Sequence, residues 1–198
     1  MARRKRSDLT PPDLVLLSLL LEAPMHGYQA NLELERRQWR DWVGVSRPQI
    51  YYSLDKLERL GLIRASRNDE AAAGPERRVF RTTAKGKQAL QQALTADSWA
   101  IQRDRPPFLT WLALSWQASP ETLREQVDKR REFIASELNR EIATLDGVRE
   151  EVGHEFHEAV WMLTLTINQL KVELDWLEKL AQQVAHRKPA THPDLVQP

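Results

Sequence analysis

Over residues 46–63 the polar and apolar positions of the chain separate onto two helical faces. Ile50, Leu54, Leu57 and Leu60 recur at i, i+4, i+7 and i+10, the period of a stripe buried along one side of an α-helix. Ser46 is a favoured N-cap, Gln49 three residues on completes a capping box, and Pro48 falls in a first turn whose amides have no intrahelical acceptor. Gly61 stands where a helix end accepts positive φ. The spacing predicts a helix over residues 46–60. Its other face carries Arg47, Gln49, Tyr51, Tyr52, Ser53 and Lys56, crowded toward the leading half. Amide, hydroxyl and cationic groups at the start of a helix suit a DNA major groove and its flanking phosphates; the plainer alternative is an amphipathic surface helix.

The surrounding pattern bears on that choice. Thr10 caps a helix opening at Pro11, with Asp13 at its positive end and Leu14, Val15, Leu17, Leu20 and Leu21 mostly inward. A second helix is expected over residues 26–38, with Tyr28 and Leu32 inward and Glu33, Glu35, Arg36 and Arg37 outward. Gly44 suits a turn before Ser46. Two short strands follow, residues 62–67 and 77–82, around a polar turn-rich tip. Three helices and a hairpin in this order predict a winged helix-turn-helix. Its wing would bring Arg64, Arg67, Arg77, Arg78 and Arg81 to phosphates, unless the hairpin is simply a solvated one. Thr83 caps a fourth helix running to about residue 98.

Residues 16–20 (Leu-Leu-Ser-Leu-Leu) leading to Pro24-Met25-His26-Gly27-Tyr28, then Ser46-Arg47-Pro48-Gln49-Ile50-Tyr51 with Leu54, Leu57 and Gly61-Leu62-Ile63, then Arg77-Arg78-Val79-Phe80-Arg81-Thr82-Thr83-Ala84-Lys85-Gly86 form three ordered motifs. Together they resemble the PadR family of bacterial transcriptional regulators over roughly residues 10–95. Tyr52 departs from the proline frequent there in the family, and Phe80 from the usual tyrosine. The resemblance implies operator DNA as partner, a packing and helix-start role for His26-Gly27-Tyr28, a helical C-terminal domain that dimerises, and, in some members, a response to phenolic or flat aromatic compounds.

The back half reads as helices throughout. Pro106-Pro107 precedes a short apolar helix over residues 108–117 with Trp111 and Trp116. Ser119 and Pro120 open a long helix whose inward stripe is Leu123, Val127, Ile134, Leu138 and Leu145, and Gly153 marks the following turn. In the last helix, expected over residues 155–186, Phe156, Val160, Leu163, Ile167, Leu170, Leu174, Leu177, Ala181 and Val184 alternate by four and three, a heptad seam. Trp161, Leu165, Val172 and Trp176 form a second apolar line. Two such faces need two partners, one within the chain and one most simply a second copy. The seam residues Leu163, Ile167, Leu170, Leu174 and Leu177 are assigned to that dimer.

The expected organisation is a basic arm (residues 1–9), a winged helix-turn-helix domain (10–104), a helical dimerisation and effector domain (105–187) and a disordered Pro-rich tail (188–198). Charge supports it: residues 1–90 hold 17 Lys and Arg against 11 Asp and Glu, residues 91–198 hold 12 against 17. Only the basic front half suits a polyanion, and the arm's Arg3, Arg4, Lys5 and Arg6 could enter a minor groove. No cysteine is present, so a reducing cytoplasm is the expected compartment; the apolar run over residues 14–21 is too short to span a bilayer.

No phosphate loop, nucleophile elbow or metalloprotease motif occurs. His154 and His157 stand at i, i+3 near acidic residues but read best as solvated, so no enzyme, cofactor or metal is expected. Trp111, Trp116 and Trp161 are the candidate lining of an aromatic effector pocket, against plain core packing. The reading is a homodimeric repressor of inverted-repeat operators, released by a small ligand; the alternative is a winged-helix protein-interaction module without DNA.

Overall fold

In the computed structural model residues 9–37, 39, 43–65, 78–103 and 105–187 are described. Arg67 and Arg77, the residue 3–6 arm and the tail lie outside them. The chain forms two compact units, one up to Arg103 and one from residue 104 on.

The first unit runs α1 (Pro11–Glu22), β1 (Met25–His26), α2 (Gly27–Arg36), α3 (Arg47–Arg59), β2 (Ile63–Ala65), β3 (Val79–Thr82), α4 (Ala84–Leu94) and α5 (Ser98–Ile101). Three helix starts share one device: Asp13, Gln29 and Gln49 each reach back to accept from the amide of their own cap residue, Thr10, His26 and Ser46, at 2.8, 2.9 and 2.7 Å. That satisfies amides which the helix leaves without acceptors. α1 buries Leu14, Leu16, Leu17, Leu19 and Leu20, and so lies at the centre of the unit. Ala30 and Leu34 of α2, Ile50, Leu54 and Leu57 of α3, and Phe80 of β3 complete this core. Burial of each large side chain contributes about 1.5–3 kcal/mol.

Three expectations about facing fail here. Leu21, expected inward on α1, is exposed. Tyr28 and Leu32 are exposed while Ala30, Asn31 and Leu34 are buried. A small face on α2 lets it approach α3 closely: a methyl placed on Gly27 would stand 3.0 Å from both Leu54 Cδ1 and Tyr51 Cε1. Leu60 is exposed too, because the helix has already ended there; Leu62 N bonds Leu57 O and Gly61 N bonds Glu58 O around Gly61 at φ +69°, a Schellman ending.

The sheet has the order β1-β3-β2, antiparallel throughout. β1, unforeseen because a two-residue strand has no period, pairs Met25 with Phe80 and His26 with Val79. Thr83 caps α4 and donates its hydroxyl to Gly61 O at 2.9 Å. Gly86 lies against the same corner: a Cβ there would fall 2.1 Å from Leu62 O.

The second unit contains α6 (Pro107–Leu114) with a 3-10 turn (Ser115–Gln117), then α7 (Pro120–Val152) and α8 (Glu158–Val184). Gly153, at φ +75°, closes α7 in the left-handed region. α7 and α8 form an antiparallel pair. Leu123, Val127 and Ile134 of α7 meet Leu177 and Val184 of α8, with Phe108, Trp111, Leu170 and Leu174 packed around them. Farther along, Leu145, Val160, Leu163 and Ile167 are buried. Arg130 joins the two helices through Glu173 at 2.8 Å and lies over the Phe108 and Phe133 rings.

This pairing corrects the dimer assignment. Leu163, Ile167 and Leu177 are only 2%, 5% and 0% exposed, so the heptad seam is consumed by α7 of the same chain. Leu170 and Leu174 pack on the same core. Phe156 precedes α8 and is exposed. The second apolar line, Trp161, Leu165, Val172 and Trp176, is the one left facing solvent.

Candidate nucleic-acid interface

α3 presents its leading end outward. Arg47, Gln49 and Tyr52 are exposed, and Tyr51 is half-buried against the core. Gln49 remains tied to its cap, its Oε1 accepting from Ser46 N at 2.7 Å and Ser46 Oγ at 2.8 Å.

Ser53 and Lys56 do not join them. Ser53 is 2% exposed, and Lys56 Nζ donates to Asp13 Oδ2 of α1 at 2.6 Å. Both follow from the helical period: positions 53 and 56 flank the buried stripe of Leu54 and Leu57 rather than opposing it. Asp13 is fully buried. Burial alone pushes its carboxyl up, but the Lys56 ammonium, then the Thr10 amide and the Ser53 and Thr10 hydroxyls outweigh this and hold it below the usual carboxylate range. The expected dipole complement of α1 is therefore also the anchor of α3. A lone acid at a helix start gave no signal of this, since its partner lies 43 residues away.

On the hairpin, Arg78 is partly exposed and its guanidinium is already paired. It forms a two-pronged pair with Glu58 at the end of α3 and lies over the Phe80 ring, 5.1 Å from its centroid. Its role is to clamp β3 to α3. Arg81 is exposed and pairs in register with Arg64 of β2, also exposed. Two guanidinium groups opposite one another on the outer face repel, and an anion such as phosphate relieves that.

Trp111, Trp116 and Trp161 do not converge within the chain. Trp111 stacks on Phe108 at 5.5 Å within the core of its unit, and Trp116 is exposed. Trp161 stands roughly 24 Å of helix rise before Leu177, a member of the cluster on which Trp111 packs. The histidines of the α7–α8 turn serve the backbone: His154 Nδ1 accepts from Phe156 N and His157 Nδ1 from Ala159 N, each at 3.2 Å. Among the described residues no group of three or more His, Asp or Glu side chains is placed to hold a metal, and no helix is long and apolar enough to cross a membrane.

Residues 16–92 match the family model of the transcriptional regulator PadR-like family. The fold is similar to that of PadR of Bacillus subtilis in complex with operator DNA, at 17% identity and a TM-score of 0.64, covering 87% of this chain and 98% of that one. It is similar to the PadR-like transcriptional regulator BC1756 of Bacillus cereus, at 19% identity, a TM-score of 0.66 and coverage of 89% and 99%. It is also similar to the B. subtilis PadR in complex with p-coumaric acid, at 19%, 0.63, 88% and 99%. No curated protein sequence matches. The segment that builds α1 to α4, with its capped α3 and β3 hairpin strand, is thus the part of this chain that matches the transcriptional regulator PadR-like family, through residues 16–92.

Proposed function

We propose that this PadR-like regulator binds an inverted-repeat operator in double-stranded DNA as a homodimer and represses until a small aromatic ligand releases it. The observation that carries the reading is the leading end of α3. Arg47, Gln49 and Tyr52 stand in solvent there, while the Lys56–Asp13 and Arg78–Glu58 pairs hold the helix from behind. A helix offered in this way enters a major groove by its N-terminal residues. The exposed Arg64 and Arg81 lie on the adjoining strands to meet phosphates. A relative of the same fold has been seen with operator DNA, and the same relative with p-coumaric acid.

The dimer is assigned to the outward line of α8, Trp161, Leu165, Val172 and Trp176, because large apolar side chains spaced along one helix face are stabilised by a covering surface. Two recognition helices in a two-fold body meet half-sites about one DNA turn, roughly 34–36 Å, apart. Selection of bound duplexes from a random pool at low salt tests the reading, and an inverted repeat is the expected product. p-Coumaric acid is the first effector to titrate against the selected duplex. A chain that retains no duplex even at low salt is a protein-interaction module instead.

A further inference from the structure

A glutamine that reads DNA usually offers both halves of its amide, the oxygen to adenine N6 and the nitrogen to N7. Gln49 is not free to do so. A carbonyl oxygen has two lone pairs, and both of those on Gln49 Oε1 are taken, by Ser46 N at 2.7 Å and by Ser46 Oγ at 2.8 Å. Because a backbone N–H is one of the two donors, the amide orientation is set: the oxygen faces the cap. What the exposed end of Gln49 presents is its NH₂ group alone, two donors and no acceptor.

We infer that Gln49 reads its base as a donor only, so that the operator carries a major-groove acceptor at that position in each half-site, best met by the O6 and N7 of guanine. This rests on the DNA-binding reading above and deepens it. Adenine meets such a group poorly, because its N6 amino group finds no lone pair unless the helix cap opens. Ser46, which need touch no base, is then a positioning residue for specificity: it decides which half of the Gln49 amide reaches the groove. The bland function of the cap, holding the first turn of α3, is preserved in either case.

Gln49→Glu separates the two roles, since a carboxylate oxygen accepts the same two bonds from Ser46 but donates none. The full-length wild-type and variant chains are compared on the duplex selected by the wild type, on that duplex with the guanine replaced by adenine, and on random duplex. Thermal unfolding of Gln49→Glu should match wild type. Its affinity for the selected duplex should fall at least tenfold more than its affinity for random duplex, which isolates the lost donor from general repulsion by the new charge. Wild type should lose about tenfold or more on the adenine duplex. Ser46→Ala, which frees one lone pair, should recover part of that loss. Equal wild-type binding to the guanine and adenine duplexes, or equal losses by Gln49→Glu on selected and random DNA, overturns the inference while leaving DNA binding standing. Wild type that retains no duplex overturns both.

Discussion

Asp13 and Lys56 meet at 2.6 Å with the carboxylate fully buried, and the pair is the clearest case of a single contact that fixes a functional element. Removing one member of a buried pair strands the other, at a cost of about 3–5 kcal/mol, whereas replacing both with apolar groups is often nearly neutral. Asp13→Asn should therefore lower the urea midpoint at pH 7 substantially, and Asp13→Leu with Lys56→Met should recover most of it. The pH dependence has a definite sign. The Asp13 carboxyl lies below its ordinary value in the folded chain, so its contribution is fully present above the unfolded carboxylate range and is lost as pH falls through the folded value. Wild type should lose stability on acidification below about pH 4 more steeply than the double variant. Parallel acid profiles would show that the pair contributes nothing. Lys56 was legible in the sequence as a polar residue of α3. Its direction was not, since only the packing of α1 against α3 turned it away from solvent.

At the scale of elements, the corner where α3 ends and α4 begins is closely packed. Gly86 has no room for a side chain, and Lys85 Nζ donates to Leu60 O at 2.7 Å across the same corner. Gly86→Ala must displace the Leu62 carbonyl and should cost about 1–3 kcal/mol, seen as a lower denaturation midpoint with an unchanged slope. Gly61→Ala, in the left-handed region at φ +69°, should cost about 1–2 kcal/mol. The hairpin arginines divide by facing. Arg64→Ala and Arg81→Ala should each flatten the dependence of log K on log salt by about 0.9 per lost phosphate contact, with little effect on stability. Arg78→Ala should instead lower stability, because it releases Glu58 and the Phe80 ring. A salt slope unchanged by Arg64→Ala and by Arg81→Ala would remove these two arginines from the DNA interface. The positions of α1, α3 and α7 could be read from caps and periods. The facing of α2 could not, because glycine and alanine at its contact carry no hydrophobic signal while its exposed tyrosine and leucine do.

For the whole molecule, the two apolar lines of α8 give opposite expectations. Leu165→Glu with Val172→Glu should leave each protomer folded and yield monomer by light scattering, with operator affinity reduced because two half-sites are no longer held by one body. Leu163→Glu or Leu177→Glu should unfold the α7–α8 pair, since each buries an unpaired charge in its core. A Leu165/Val172 variant that keeps the wild-type mass would refute the outward line as the dimer surface. Local chemistry written in the chain was sufficient to determine the caps at Thr10, Ser46, Thr83 and Ser119, the glycine endings at Gly61 and Gly153, the buried stripe of α3 and the existence of two faces on α8. Each depends on residues within a few positions of one another, so spacing alone specifies it. Tertiary structure decided which α8 face is consumed by α7, that Lys56 and Arg78 are paired with acids of neighbouring elements while Arg47, Gln49, Tyr52, Arg64 and Arg81 stand in solvent, and that Trp161 stays apart from Trp111, 50 residues before it. Those outcomes depend on contacts between elements tens of residues apart, where the same polar or apolar residue satisfies either face and only the partner that arrives determines which one is buried.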